Sequence, residues 1–291
     1  MLKNILVTGG AGFVGSKLIK KLTEDPNNAI TSLDNYFTGT RENHIPGVVY
    51  IEGDTNRIDE LVPNGEKIDI VYHFGEYSRV STSLEDNDLV WKYNVLGTHK
   101  VLEFCRKNKC KIIYSASSTK FGDSGENIFK SPYALYKAHN TDLISCYTKW
   151  FGMESVICYF YNVYGPGQIT TGKYATVIGI FERLYANRQP LTVVSPGTQR
   201  RSFTHIEDVV EALLLLQQAS GDGYCIGTKK DYQIIDVAKM FTNNILYLGE
   251  RPGERNTTSI DLTKMSNLGW TPKHDLKNYI QNIKENNNET F

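Results

Sequence analysis

The segment Val7-Thr8-Gly9-Gly10-Ala11-Gly12-Phe13-Val14-Gly15 constrains this chain more than any other. The apolar run Ile5-Leu6-Val7 before it reads as a short buried strand, and Ser16 to Leu22 after it reads as a helix. Strand, glycine turn and helix in that order make a site for a dinucleotide phosphate. Glycines let the backbone approach a pyrophosphate, and the free N–H groups of a helix N-terminus face the anion. Asp34, at the end of the apolar run Ala29-Ile30-Thr31-Ser32-Leu33, is the expected partner. A carboxylate about 20 residues past the motif accepts hydrogen bonds from the adenosine ribose. No Arg or Lys follows until Arg41, so a 2′-phosphate would be poorly received. The expected cofactor is therefore NAD rather than NADP.

A chain of 291 residues can form one large domain or two modest ones. Its 32 basic and 32 acidic residues balance, which argues against nucleic acid or an anionic membrane surface as a partner. No apolar stretch reaches the ~18 residues of a membrane span, and the first strand begins too close to Met1 for a signal peptide. Five cysteines with no Cys-x-x-Cys pair do not suggest a disulfide framework or a metal site. A reducing cytoplasm suits them better.

The first half alternates strands with helices. Ile68 to Phe74, Lys111 to Ser115 and Val156 to Phe160 read as strands. Leu89 to Lys107 and Ser131 to Trp150 read as helices, the latter with Ser131 as N-cap and Pro132 at its first position. Repeated units of this kind predict an α/β fold, a doubly wound parallel sheet covered on both faces. After Asn162 the texture becomes more irregular, with Gly165-Pro166-Gly167 and Ser195-Pro196-Gly197 as loops and helices at Ala175–Asn187 and Glu207–Gln218. The expected division is a nucleotide-binding domain over 1–162 and a smaller substrate domain over 163–291, with a return to the first around 203–227.

Tyr133 and Lys137 lie four apart, one turn along the same face of the predicted helix. A phenol has a reference pKa of ~10, and a nearby ammonium stabilises its phenolate. Such a Tyr takes a proton from a sugar hydroxyl while hydride leaves the carbinol carbon. Ser117 lies at the C-terminal edge of the predicted sheet, where open α/β sheets bind ligands, and its hydroxyl can meet the same oxygen.

With these residues the chain resembles the extended short-chain dehydrogenase/reductases, in particular the nucleotide-sugar epimerases and dehydratases. Further matching segments are Gly53-Asp54, His73-Phe74-Gly75, Asn94-Val95-Leu96-Gly97-Thr98, Asn162-Val163-Tyr164-Gly165-Pro166, Arg201-Ser202-Phe203, His205 to Val209, Arg251 to Glu254 and Leu268 to Pro272. The resemblance implies a Rossmann domain and a smaller α/β substrate domain. Its cofactor set is Gly9, Gly12, Phe13, Val14, Gly15, Asp34, Asn35, Asp54, Thr55, Phe74, Gly75, Asn94, Tyr133, Lys137 and Tyr161. Asp54 is expected beside the adenine, Phe74 and Gly75 beneath the cofactor, and Asn94 and Tyr161 near the nicotinamide half. Ser117 and Thr119 are expected at the sugar, and Asn162, Arg201 and Arg251 at the diphosphate and ribose of a nucleotide sugar. Guanidinium groups suit that anion because they bind it bidentately. The two long helices match those that pair relatives into a dimer. His73 and His205 are expected to be structural.

The same residues serve several reactions in such proteins, all beginning with oxidation of the sugar, usually at C4. The 4,6-dehydratases carry Asp-Glu directly after the Ser/Thr, and the sugar-acid decarboxylases usually carry a Glu there. Here Ser118 and Thr119 follow Ser117, which resembles the 4-epimerases. The expected activity is a 4-epimerase acting through a 4-keto sugar, in sugar-nucleotide and surface-polysaccharide synthesis. A C4 oxidase, ketoreductase or dehydratase is the alternative of the same family, and a non-catalytic NAD-sensing scaffold that of another class. Glu76 departs from the small or amide residues of relatives. It reads as an extra acid/base, a contact to a polar sugar substituent, or a solvated loop charge.

Overall fold

The structure is a computed structural model, described here for residues 2–62, 67–250, 256–257 and 259–289. Its centre is a seven-stranded parallel sheet. Six of its strands are β1 (Lys3–Thr8), β2 (Asn28–Asp34), β3 (Val49–Glu52), β4 (Ile70–His73), β5 (Lys111–Ser117) and β6 (Ser155–Phe160). The seventh, Gly221–Ile226, returns from far along the chain to the edge beside β6. The order is Gly221–Ile226, β6, β5, β4, β1, β2, β3. Helices cover both faces, so the inner strands read as unbroken apolar runs: Ile5, Leu6 and Val7 are all fully buried.

The chain winds from β1 through β2 to β3, then crosses back to place β4 on the other side of β1. That reversal opens a crevice above the C-terminal ends of β1 and β4, the position at which such sheets bind ligands. Ile5 pairs with Ile30 on one side and Ile70 on the other.

Two helices flank the crevice. Pro132–Phe151 begins as the sequence predicts, with Ser131 Oγ accepting the Ala134 N–H at 3.2 Å and Pro132 at the first position. The helix expected over Leu89–Lys107 starts earlier, at Asn87, and is not uniform: a π turn spans Trp91–Leu96 before the regular stretch Gly97–Asn108. Val177–Ala186 is shorter than expected because Thr176 Oγ1 caps it by accepting the Gly179 N–H at 3.0 Å.

A second, smaller core gathers Tyr164, Ile178, Phe181, Val193, Phe203, Val237, Phe241 and Ile280. The helix Ile206–Leu215 and the strand Gly221–Ile226 pack on the first core, as do Leu262, Met265 and Trp270, beyond the expected return at 203–227. Trp270 Nε1 donates to the Asp208 carbonyl at 3.0 Å, which holds that late crossing in place. Among the described residues no helix is long and apolar enough to cross a membrane.

Candidate active site

A cavity of about 490 Å³ follows the crevice, within the 300–1,000 Å³ usual for ligand pockets. At one end it is lined by Asp34, Asn35, Gly53 and Thr55, along its floor by Gly9, Gly12, Phe13, Val14, Gly15, Phe74 and Gly75, and at the other end by Ser117, Thr119, Tyr133 and Lys137. Asn162 and Arg201 line it from the second core's side.

The glycine turn is shaped by close approach. Gly9 sits at φ +72°, and a Cβ there would lie 2.8 Å from the backbone of Phe74 and Gly75. A Cβ on Gly15 would meet the Gly9 carbonyl at 2.2 Å. Only glycine lets β1, the helix Phe13–Leu22 and the end of β4 meet this tightly. That helix has no side-chain cap and no acidic residue in its first turn. Its N–H groups and positive end are therefore open to an anion entering the cavity.

Asp34 closes the end of the cavity beside β2. Its Oδ2 accepts the Ala11 N–H and its Oδ1 the Tyr36 N–H, both at 2.8 Å. Burial raises its pKa above the ordinary carboxylate value, against the pull of those N–H bonds. Hydroxyl donors arriving from a ribose would add bonds to the charged form. Arg41 instead pairs with Glu52 at 2.6 Å and does not line the cavity. The residues thus fit NAD: an uncapped helix end for the pyrophosphate and a carboxylate for the ribose.

At the opposite end, Tyr133 is 9% exposed and stands one turn before Lys137. Lys137 Nζ donates to the Ser115 carbonyl at 2.6 Å and lies 4.8 Å from the centre of the Tyr114 ring. Ser117 ends β5 and caps the short turn after it, its Oγ accepting from the N–H of Thr119 at 3.2 Å and from its hydroxyl at 3.0 Å. Both bonds use the oxygen of Ser117, which leaves its proton to donate.

Three sequence-predicted cofactor residues stand behind the cavity wall. Asp54 pairs with Lys92 at 2.6 Å and accepts from Asn35 Nδ2 at 2.7 Å. Asn94 is fully buried and bonds both backbone atoms of Tyr77. Tyr161 is fully buried and donates to the Ser259 carbonyl at 2.7 Å. Arg251 lies outside the described residues.

Two charged wall residues were not among the predicted site residues. Arg79 lines the cavity and donates from Nε to the Tyr174 carbonyl at 2.6 Å, and burial lowers its pKa. Glu76, read from the sequence with a solvated loop charge as one alternative, has a side chain only 1% exposed and pairs with Lys137. His73 is fully buried between Thr8 and Thr98, and burial pulls its pKa down to about 4. His205, Glu207 and His274 bring potential ligand atoms within 4.8 Å of one another, away from the cavity. His205 Nδ1 accepts the Glu207 N–H, however, and both ring nitrogens of His274 already face carboxylates, so the group reads as a hydrogen-bond cluster.

Residues 5–227 match the NAD dependent epimerase/dehydratase family. The chain belongs to this family. A putative UDP-glucose 4-epimerase of Methanocaldococcus jannaschii is 32% identical, over 98% of this chain and all of the relative. UDP-glucuronic acid decarboxylase 6 of Arabidopsis thaliana is 29% identical over 97% of this chain and 88% of its own. The solved UDP-glucose 4-epimerase of Thermotoga maritima superposes with a TM-score of 0.88 at 25% identity, covering 99% of each chain. Other relatives in this identity range are dTDP-D-glucose 4,6-dehydratases. The family thus spans epimerases, decarboxylases and dehydratases, its cofactor is NAD, and its Rossmann sheet is the one seen here.

Proposed function

We propose that the protein is a nucleotide-sugar 4-epimerase. The observation that carries this reading is the character of the cavity wall. Among the described residues, the carboxylates lining it are Asp34, at the adenosine end, and Glu76, tied to Lys137. The residues after Ser117 are hydroxyls, Ser118 and Thr119, both buried. No described carboxylate is free at the sugar end to move protons between C5 and C6. That favours epimerisation over dehydration. The Methanocaldococcus jannaschii relative and the Thermotoga maritima structure support the same reading.

NAD bound in the cavity would supply the acceptor for hydride from the sugar carbon and its donor on return. The chain's own residues handle the proton. Tyr133 accepts it from the C4 hydroxyl as the base, and Lys137 beside it holds the charge that develops on the phenol oxygen. Ser117 donates its free proton to the same sugar oxygen, and Thr119 fixes the Ser117 rotamer from behind. Asn162 and Arg201 bind the diphosphate of the nucleotide. The ketone turns over in the site, and the proton returns from Tyr133.

We further propose a homodimer. Trp91, Leu96, Leu135, Trp150 and Phe151 leave apolar surface exposed on the two helices that flank the crevice. Trp91 stacks edge-on against Tyr136 at 5.4 Å, joining the two helices into one face. Large apolar side chains exposed along two joined helices fit an interface. The free cysteines suit a reducing cytoplasm.

Incubation with UDP-, GDP- and dTDP-hexoses, followed by anomeric proton NMR, tests the activity. A second C4 stereoisomer supports it; a 6-deoxy-4-keto sugar would assign the chain to the dehydratases.

A further inference from the structure

Glu76 stands where the chain leaves β4, and no role in the proposed reaction requires it. Its carboxylate nonetheless accepts from four side chains. Oε1 accepts from Thr98 Oγ1 at 2.9 Å and from the Tyr114 hydroxyl and Asn140 Nδ2 at 3.1 Å each, while Oε2 accepts from Lys137 Nζ. These donors come from three different elements: Gly97–Asn108, β5 and Pro132–Phe151. A carboxylate 1% exposed and met by four donors has its lone pairs engaged from within the protein.

The bonds behind it run in one direction. Thr8 Oγ1 accepts the N–H groups of Phe74 and Gly75, so its own proton goes to His73 Nδ1 at 2.7 Å. His73 then carries its proton on Nε2 and donates to Thr98 Oγ1 at 3.0 Å, and the Thr98 proton goes to Glu76. Each hydroxyl and the ring N–H in this chain donates once, and Glu76 is the acceptor that ends it. The loop bearing Glu76 is fixed independently by Asn94, whose amide bonds the N–H and carbonyl of Tyr77.

We propose that Glu76 is a positioning residue for Lys137, aiming the ammonium at the cofactor and damping its charge at Tyr133. An ammonium has three N–H bonds. Glu76 and the Ser115 carbonyl take two from behind, and Lys137 lines the cavity with the third to spare. Without the carboxylate the ammonium loses an anchor and gains effective charge. Glutamine cannot replace it, because its NH₂ group would face either the Lys137 ammonium or the three donors at Oε1. This inference rests on the reading of Tyr133 and Lys137 as the reacting pair.

The other groups facing this pair are His73 on β4, Tyr114 on β5, Cys158 on β6 and Arg79 on the loop after β4. Burial holds His73 down to about 4 and pushes Tyr114 and Cys158 far up, so none of these three changes charge in the neutral range. Arg79 stays cationic there.

The test compares wild type, Glu76→Gln, Glu76→Asp, Lys137→Met and the Glu76→Gln/Lys137→Met double variant. NAD affinity is read by calorimetry and turnover by its pH profile. Glu76→Gln should weaken NAD about three- to tenfold, the effect of one misaimed hydrogen bond. It should also move the acidic limb of the profile down by about one pH unit. In the Lys137→Met background it should add less than about twofold to the loss of NAD affinity, because the residue it acts through is gone. Equal losses in both backgrounds, or an unmoved limb, would overturn the inference. If Glu76→Gln does not fold, Glu76→Asp decides: weakened NAD with the wild-type limb supports the inference, and wild-type NAD affinity overturns it. Lys137→Met with full turnover would instead sink the catalytic reading, whereas an inactive Lys137→Met with an indifferent Glu76→Gln sinks only the role of Glu76.

Discussion

Asn94 grips Tyr77 with both ends of its amide: Oδ1 accepts the Tyr77 N–H at 2.7 Å, and Nδ2 donates to the Tyr77 carbonyl at 3.0 Å. The π turn Trp91–Leu96 places this fully buried side chain opposite the loop after β4, and the Asn94 carbonyl accepts from Asn140 Nδ2 at 2.8 Å. Asn94→Ala would leave the buried polar atoms of Tyr77 without partners. The expected loss is about 2–6 kcal/mol of unfolding free energy, at about 1–3 kcal/mol for each of the two unsatisfied groups, read from urea denaturation.

Tyr133→Phe removes the base and keeps the ring. Its turnover should fall by about 10²–10⁴, the usual contribution of a positioned acid or base. NAD affinity should stay within about twofold, since Phe still fills the wall. Steady-state NMR assays and calorimetry on one preparation check both. Full turnover would remove Tyr133 from the role of base, and loss of turnover with NAD still bound would reject the non-catalytic scaffold.

Acid stability carries the signature of His73. Its pKa in the fold is about 4, against the ordinary imidazole value of 6.5 in the unfolded chain. A depressed histidine binds fewer protons folded than unfolded, so stability falls as pH drops from about 6.5 towards 4 and levels off below. At ~1.36 kcal/mol per unit the loss is on the order of 3 kcal/mol. Asp123 and Glu103, both lowered to about 2, act at lower pH, with stability lost as pH falls from the ordinary carboxylate range towards 2. Urea titrations at stepped pH should show the His73 phase first, and His73→Asn should flatten it.

The exposed apolar face predicts its own disruption. Trp91→Asp combined with Leu135→Asp should convert a dimer to a monomer in sedimentation velocity, with the circular dichroism spectrum unchanged. A monomeric wild-type protein would contradict the proposed assembly.

Residues whose role is local were the readable ones. Gly9 and Gly15 are demanded by backbone clearances within one turn, and Ser131-Pro132 writes a helix start into adjacent positions. Asp34 is placed simply by the end of β2. Glu76 was not readable in this way, because Thr98, Tyr114 and Asn140, scattered over more than forty residues, bury it. Asn94 and Tyr161 match cofactor positions in motif, yet here their side chains serve the backbone of Tyr77 and Ser259. The return of Leu262, Met265 and Trp270 to the first core carries no periodic signal, since it rests on single contacts such as Trp270 to Asp208.

The most direct test of the proposed chemistry is turnover of UDP-glucose in deuterium oxide with no cofactor added, followed by proton NMR and by the absorbance of reduced nicotinamide. Epimerisation returns the same hydride to C4, so both C4 epimers should appear with no deuterium in the sugar and no lasting absorbance. Deuterium at C5 with a new C6 methyl group, or a keto sugar accumulating beside reduced cofactor, would contradict the account.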